Sequence, residues 1–148
     1  MLRTAILLWG FLIVSACAIA QINDRDIRLQ VLKKAVANKE FVFGKWTEDG
    51  QNETHLTYLG ELKTKTHKTY RVMNSIWIWG ASHRATSRIL FFDDKDQYLG
   101  NYYVTTPMEL PTKLQNGQLL FSDVSRNKIT NVDLRSGIPK VIADFVFE

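Results

Sequence analysis

The succession of strand and turn signals after residue 40 constrains the fold of this chain most strongly. Short segments follow one another in which apolar residues alternate with polar ones or form brief runs, a pattern typical of β-strands. These segments are 41–46, 55–63, 69–79, 88–92, 98–104, 118–122, 128–134 and 140–147. No helix long enough to connect two parallel strands lies between them, so we predict antiparallel pairing.

The residues between these segments favour turns. Asn116-Gly117 lies between apolar residues, and it is the dipeptide preferred in a type I′ hairpin turn, which needs positive φ at both central positions. Pro107 and Pro111 cannot donate to a strand ladder, so residues 105–112 are predicted to form a loop.

One helix is predicted before the strands. Asp24 and Asp26 place negative charge in its first turn, where the helix dipole favours it. Apolar residues recur at helical spacing at Ile27, Val31, Leu32 and Ala35. The helix is expected to end near Asn38, where the hydrophobic period changes. The predicted fold class is therefore mainly β (α+β), with one N-terminal helix followed by a single antiparallel meander sheet, or by that sheet curled into a sandwich or small barrel.

The composition fits one domain without disulfides. The chain has 148 residues, 45% of them hydrophobic, and a single cysteine, Cys17. We predict a single β-rich domain over residues 21–148 that depends on its hydrophobic core. The clean alternation of residues 141–147 predicts that the chain ends inside the sheet. The expected core residues are Phe41, Phe43, Leu56, Tyr58, Val72, Ile76, Ile78, Leu90, Phe92, Leu119, Phe121, Val141 and Phe145.

Residues 1–20 have the layout of a secretory signal peptide. Arg3 gives a positive start, residues 4–14 are apolar apart from Gly10, and small residues follow. The apolar run is too short for a membrane-spanning helix, which needs about 20 residues. We therefore expect export to the periplasm or cell envelope.

Two processing sites compete in this leader. Ala18-Ile19-Ala20 is an A-x-A site whose cleavage would leave Gln21 as the first residue. Val14-Ser15-Ala16-Cys17 resembles the lipobox of bacterial lipoproteins, which would make Cys17 a lipidation site and the new N-terminus. A membrane contact is predicted only through such a lipid anchor at Cys17.

The charge distribution argues against nucleic-acid binding. The formal net charge is +4, and basic and acidic residues are interspersed, with Lys33-Lys34 and Asp93-Asp94 as the longest like-sign runs. A nucleic-acid-binding domain usually carries a basic patch or stripe.

The segment 69–79 and the residues after it are the best candidate for a binding surface. Alternation places Tyr70, Val72, Asn74, Ile76 and Ile78 on one face and Arg71, Met73, Ser75, Trp77 and Trp79 on the other. Tryptophan, methionine and arginine together are typical of a surface that holds a partner. The candidate binding residues are Arg71, Trp77, Trp79, His83, Arg84 and Arg88. The leading hypothesis is a non-catalytic envelope domain that binds a partner protein or small ligand there.

The sequence does not select a catalytic mechanism. The three histidines, His55, His67 and His83, lack zinc-ligand spacing, and no G-x-S-x-G motif is present, so neither a metal nor a cofactor is predicted. A hydrolase that uses His83 with Ser82 or Ser87 remains an alternative.

Gly44-Lys45-Trp46, after the helix and at the start of the strands, resembles the G-x-W signature of lipocalin-like ligand-binding proteins. That resemblance implies a closed barrel with Trp46 at its closed end, beneath a cavity for apolar ligands. A lipocalin-like apolar carrier is the third functional hypothesis.

Overall fold

The computed structural model describes residues 24–123 and 128–148. Within them the chain forms one helix, one 3₁₀ turn at Pro107–Glu109 and strands that pair only in the antiparallel sense. The elements are α1 (Asp24–Lys34), β1 (Glu40–Gly44), β2 (Glu53–Lys63), β3 (Thr69–Trp79), β4 (Arg84–Phe92), β5 (Tyr98–Val104), β6 (Lys113–Gln115), β7 (Gln118–Asp123), β8 (Lys128–Asp133), β9 (Val141–Ile142) and β10 (Phe145–Val146). The predicted mainly β class with an N-terminal helix is confirmed.

The leader and its two processing sites, including Cys17 and Gln21, lie outside the described residues. In the part of the chain that the structure covers, no helix is long and apolar enough to cross a membrane.

Strands β1 to β5 form a meander sheet in chain order, with β3 at its centre. The predicted bounds of β3 and β5 are confirmed. The register shifts by one residue at two places, where Leu59 is an extra residue in β2 and Leu99 is an extra residue in β5, and these bulges bend the strands. The meander does not continue as one sheet, because β6 to β8 form a second sheet and β9 with β10 form a third.

Helix α1 packs on one face of the five-stranded sheet. Its buried residues Ile27, Val31 and Leu32 form a cluster with sheet side chains. The buried sheet residues of that cluster are Leu56, Tyr58, Met73, Leu90 and Phe92. The expectation that the helix reaches Asn38 and buries Ala35 is wrong. Ala35 is exposed and adopts φ 49°, and this left-handed residue ends the helix directly after Lys34.

The three-stranded sheet covers the opposite face of the five-stranded sheet. Leu119 and Leu134 are buried there against Val72, Ile89 and the other apolar residues of the second core cluster. The hairpin predicted at Asn116-Gly117 is confirmed, since Gln115 pairs with Gln118 and both turn residues have positive φ, 51° and 73°. The β6 strand was not predicted, because three residues are too few to show a period.

Within residues 24–123 and 128–148 the strands do not close into a barrel, so the closed barrel implied by the lipocalin resemblance is wrong. Trp46, the residue that carries the resemblance, instead joins the β1–β2 connection to the turn after β3. Its indole Nε1 donates a hydrogen bond to the Gly80 carbonyl at 2.9 Å.

The prediction of one strand over residues 140–147 needs correction. Ala143, at φ 49°, lies in a tight turn that reverses the chain, so β9 and β10 pair with each other. Val141 is consequently exposed and is not a core residue, whereas Ile142 is buried. The chain nevertheless ends on the sheet, because Phe147 bridges to Tyr102 and the backbone of Glu148 exchanges two hydrogen bonds with Asn101, each 2.9 Å.

The remaining core predictions divide by degree of burial. Leu56, Tyr58, Val72, Leu90, Phe92 and Leu119 are buried as predicted. Phe41, Phe43, Ile76, Ile78, Phe121 and Phe145 are half-buried. All of them except Ile78 pack against the margin of one of the two clusters.

Candidate functional site

The sheet face that carries α1 is only partly covered by it. The residues that the helix packs on do not include the two tryptophans of β3, which lie towards the other end of that strand and are half-buried. The register places a set of side chains next to them on the same face, namely Thr54, Ser75, Arg84, Thr86, Arg88 and Tyr103. We call Trp77, Trp79, Arg84, Arg88 and Tyr103 the aromatic–arginine surface.

Ring contacts organise this surface. The Trp77 and Trp79 rings are stacked, with centroids 5.4 Å apart and an interplanar angle of 20°. The Trp79 indole N–H donates to the Thr86 hydroxyl at 3.0 Å, which fixes the ring. The Arg84 guanidinium lies 5.6 Å from the Trp79 ring centroid, and that of Arg88 lies 5.7 Å from the Tyr103 ring. Both distances are within the range of cation–π attraction.

The surface is positively charged. None of the side chains that the register places on it is acidic, and Arg84 is exposed. The Nε atom of Arg88 is buried and has no hydrogen-bond acceptor among the described residues. The two guanidinium groups therefore leave a positive potential beside exposed aromatic surface, since 46% of Tyr103 is accessible.

Arg71 shares this face of β3 but lies under the helix and outside the aromatic–arginine surface. Only 13% of its side chain is exposed. Its guanidinium donates to the Leu32 carbonyl at 2.7 Å, forms an ion pair with Asp96 and lies over the Tyr58 ring. The Leu32 carbonyl belongs to the last turn of α1, which an arginine stabilises by donating to it. Arg71 therefore anchors the helix and is not available to a partner.

His83 lies in the exposed turn between β3 and β4. Its ring contacts Trp46 edge-on, with centroids 4.4 Å apart, and its φ is 52°. Across residues 24–123 and 128–148, no hydroxyl or carboxylate forms a hydrogen bond with the His83 ring. The base–nucleophile pair that a hydrolase would need at His83 is not formed in this part of the chain.

A cleft that the sequence analysis did not predict lies on the opposite face of the sheet. It has a volume of about 380 Å³ and lies between strands β1 to β3 and the segment after β5. Its lining residues are Glu40, His55, Thr57, Asn74, Ile76, Pro107, Met108, Leu110, Pro111, Thr112 and Ser122. They come from five separate stretches of the chain, so no local pattern could have identified them.

His55 is held between two carboxylates at this cleft. Its Nδ1 lies 3.1 Å from a Glu40 oxygen and its Nε2 lies 2.5 Å from a Glu53 oxygen. Both nitrogens can donate only in the imidazolium form. Burial of the ring opposes protonation, but the hydrogen bonds that the ring donates to the Glu53 and Glu40 carboxylates outweigh this effect and raise the His55 pKa. The His55 hydrogen bond and the Trp46 backbone N–H lower the pKa of Glu53.

This arrangement predicts a pH dependence. Because folding raises the His55 pKa, the stability it contributes is fully present below its ordinary value of about 6.5 and is lost as the pH rises through the folded value. We expect histidine NMR titration to give a His55 pKa above 6.5, and Glu40→Gln to lower it.

The matched control is Glu48→Gln, which removes an exposed carboxylate that forms no ion pair with His55. That variant should leave the His55 titration unchanged. A His55 pKa at or below 6.5 in the unmodified chain would contradict the assignment, as would a value unaffected by Glu40→Gln.

In the described ranges, no group of three or more His, Cys, Asp or Glu residues is arranged to hold a metal ion. Comparison of the chain with protein-family models, with curated protein sequences and with solved structures found no match. The aromatic–arginine surface and the cleft are therefore interpreted from their own geometry.

Proposed function

We propose that this protein is a non-catalytic binding domain that holds an acidic protein partner on its aromatic–arginine surface. The observation that carries the proposal is the set of side chains that α1 leaves uncovered. Two stacked tryptophans lie there beside two arginines and an exposed tyrosine, with no acidic residue among their neighbours in the register. Aromatic residues and arginine dominate the binding energy of protein interfaces.

The side chains of this surface are already fixed in place, which favours binding. Trp79 is fixed by its stacking on Trp77 and by its hydrogen bond to Thr86, so docking freezes little further side-chain motion. Side chains that are already ordered lose less conformational entropy when a partner binds. A broad sheet face also suits a protein surface better than a small molecule, which usually occupies a concave site.

Charge complementarity selects the partner. Arg84 is exposed and remains available after its contact with Trp79, because a guanidinium can accept a ring on its face and donate to a carboxylate from its edge. A segment with carboxylates next to aromatic or aliphatic side chains would pair with both components of the surface. Such pairs also speed association at low salt.

We further propose that the domain is exported, with residues 1–20 acting as a signal peptide cleaved after Ala20. The order of charged, apolar and small residues in that leader supports the proposal. Intact mass measured on protein from membrane and soluble fractions distinguishes the two processing sites. A chain that begins at Gln21 supports this proposal, and an acylated chain that begins at Cys17 replaces it with a lipid anchor.

Binding is tested with two synthetic peptides that share aromatic residues and differ in charge, one rich in glutamate and one rich in lysine. We expect calorimetry to detect the glutamate peptide, with a blue shift of tryptophan emission as Trp77 and Trp79 lose water. Arg84→Glu should weaken this binding at least about tenfold, equivalent to about 1.4 kcal/mol. Tyr103→Ser should weaken it as well, and both sites are exposed enough to leave the fold intact.

Lys113→Glu is the matched control, because it makes the same charge change at an exposed residue of the three-stranded sheet. It should reduce binding far less than Arg84→Glu. Equal binding of the two peptides, or equal losses in Arg84→Glu and Lys113→Glu, would show that the surface has no specific role.

A further inference from the structure

The cleft is separate from the aromatic–arginine surface. Neighbouring residues of one strand point to opposite faces of a sheet, so His55 and Asn74 lie on one face while Thr54 and Ser75 lie on the other. A ligand in the cleft therefore does not compete with a partner on the tryptophans. The two sites can be tested independently.

The walls of the cleft are mainly apolar. Ile76 comes from the sheet, and Leu110 and Pro111 come from the segment that crosses it. Met108, in the 3₁₀ turn, lines the same cleft and has 79% of its surface exposed. An unbranched thioether side chain adapts its shape to a ligand, and such residues are common at binding surfaces. A cleft of about 380 Å³ is also within the size range of small-molecule sites, roughly 300–1,000 Å³.

Asn74 carries a buried oxygen that has no hydrogen-bond partner among the described residues. The residue lines the cleft and is only 9% exposed. Its Nδ2 donates to the Pro111 carbonyl at 2.7 Å, but its Oδ1 is buried and accepts no hydrogen bond from the described residues. Buried acceptors are almost always paired, and an exception calls for an explanation such as a ligand that donates to it.

The charge at the cleft is negative. Of the residues that the structure describes, Glu40 and His55 are the titratable ones that line the cleft, and Glu53 lies behind His55. The imidazolium of His55 neutralises one of the two carboxylates, which leaves one negative charge. Both His55 nitrogens are taken up by carboxylates, so this cation cannot also donate to an anionic ligand. Half of the Glu40 side chain remains accessible, at 51%.

We propose that this cleft binds a small organic cation, with an ammonium group against the Glu40 carboxylate and a short apolar body against Ile76, Leu110 and Met108. An N–H of the ligand donates to Asn74 Oδ1 and satisfies that buried acceptor. The acidic rim attracts the charge, and the apolar walls favour a hydrocarbon body over a hydrated metal ion. An anionic ligand of the same shape would meet the unneutralised carboxylate and be repelled.

The probes are benzylammonium, benzyl alcohol and benzoate, which share a body and differ in charge. The readout is NMR of the ¹³C-labelled methyl group of Met108 and of the side-chain amide of Asn74, recorded at about pH 6, where the raised pKa keeps His55 protonated. We expect benzylammonium to shift both signals in a saturable way. Benzyl alcohol should bind at least fivefold more weakly, and benzoate should not bind.

Glu40→Gln should weaken benzylammonium binding at least fivefold, because it removes the charge at an exposed position. Glu48→Gln is the matched control and should leave the affinity unchanged. Met108→Ala should weaken both benzylammonium and benzyl alcohol, because it removes apolar contact without changing charge. The proposal is overturned if benzoate binds as tightly as benzylammonium, or if Glu40→Gln leaves the affinity for benzylammonium unchanged. It is also overturned if the Met108 and Asn74 signals do not shift when benzylammonium is added. These outcomes do not depend on the aromatic–arginine surface.

Discussion

Removal of residues 141–148 will unfold the domain. The segment contributes Ile142 to the larger core cluster, and Phe147 packs on the rings of Phe91 and Tyr102, with centroids 5.7 and 5.1 Å away. Burial of one aliphatic side chain is worth about 1.5–3 kcal/mol, and each aromatic pair adds about 0.5–1.5 kcal/mol. The two hydrogen bonds between Asn101 and Glu148 are lost as well.

The expected loss is roughly 3.5–9 kcal/mol, which is comparable to the whole free energy of unfolding of a small domain, about 5–15 kcal/mol. Circular dichroism should show no cooperative thermal transition for the truncated chain. The exposed substitution Val141→Thr in the full chain is the control and should leave the transition in place. A truncated chain that unfolds at the same temperature as the full chain would refute the prediction.

A substitution in the full-length chain tests the same interface without deleting it. A Cβ added at Gly100 would clash with the Glu148 carbonyl oxygen and would lie 2.7 Å from the Phe147 ring, so Gly100→Ala forces these two C-terminal residues away from β5. Gly137→Ala is the matched control, because Gly137 also has a positive φ, 121°, but has open space around it. We expect Gly100→Ala to cost roughly 2 kcal/mol more than its control in denaturant unfolding. Equal losses of unfolding free energy in Gly100→Ala and Gly137→Ala would show that the contact between Gly100 and the C-terminal residues does not stabilise the fold.

The second large loss of stability is expected when Arg71 is replaced by leucine. Arg71→Leu removes the partner of Asp96 and of the Leu32 carbonyl, and leaves a mostly buried carboxylate unpaired, since only 21% of the Asp96 side chain is exposed. Removing one member of a buried ion pair costs about 3–5 kcal/mol, and the partial exposure of this pair reduces the expected loss to about 2–4 kcal/mol.

The double variant Arg71→Leu/Asp96→Asn should be more stable than Arg71→Leu alone, because it removes the uncompensated charge. Denaturant unfolding of both single variants and the double variant measures this coupling. Arg84→Leu serves as the control, because Arg84 is exposed and its loss should change stability by less than about 0.5 kcal/mol. If Arg71→Leu matched Arg84→Leu, Arg71 would not anchor the helix.

The two faces of β3 illustrate how much local sequence can predict. Alternation assigned Val72 to one face and Met73 to the other, and the structure places them in different core clusters. The prediction succeeded because side chains of any strand alternate, whatever packs on it. The Asn116-Gly117 hairpin succeeded for a similar reason, since the φ angles that its turn needs are a property of those two residues.

The role of Arg71 could not be predicted from the local sequence pattern. The same alternation grouped Arg71 with Trp77 and Trp79 as binding residues, and the face was assigned correctly. Its function depended on what covers that face. Leu32 is 39 positions and Asp96 25 positions away along the chain, so no local pattern relates them to Arg71.

The C-terminal segment and the cleft also depend on contacts between distant segments, which local sequence patterns do not show. Residues 141–147 alternate as one strand would, yet the turn at Ala143 splits them so that Phe147 can reach Tyr102. Glu40, His55 and Asn74 line one cleft only because β1, β2 and β3 pair in one particular register. Neither the turn nor the cleft could be inferred before those long-range contacts were known.

Periodicity and turn chemistry, which act over a few neighbouring residues, were sufficient to establish the antiparallel β class, the helix and the faces of the central strand. The folded chain alone decided which half of a face is covered, which arginine anchors the helix and which acidic residues enclose His55. These outcomes depend on contacts between distant segments, whose free energies appear only after the chain has brought those segments together.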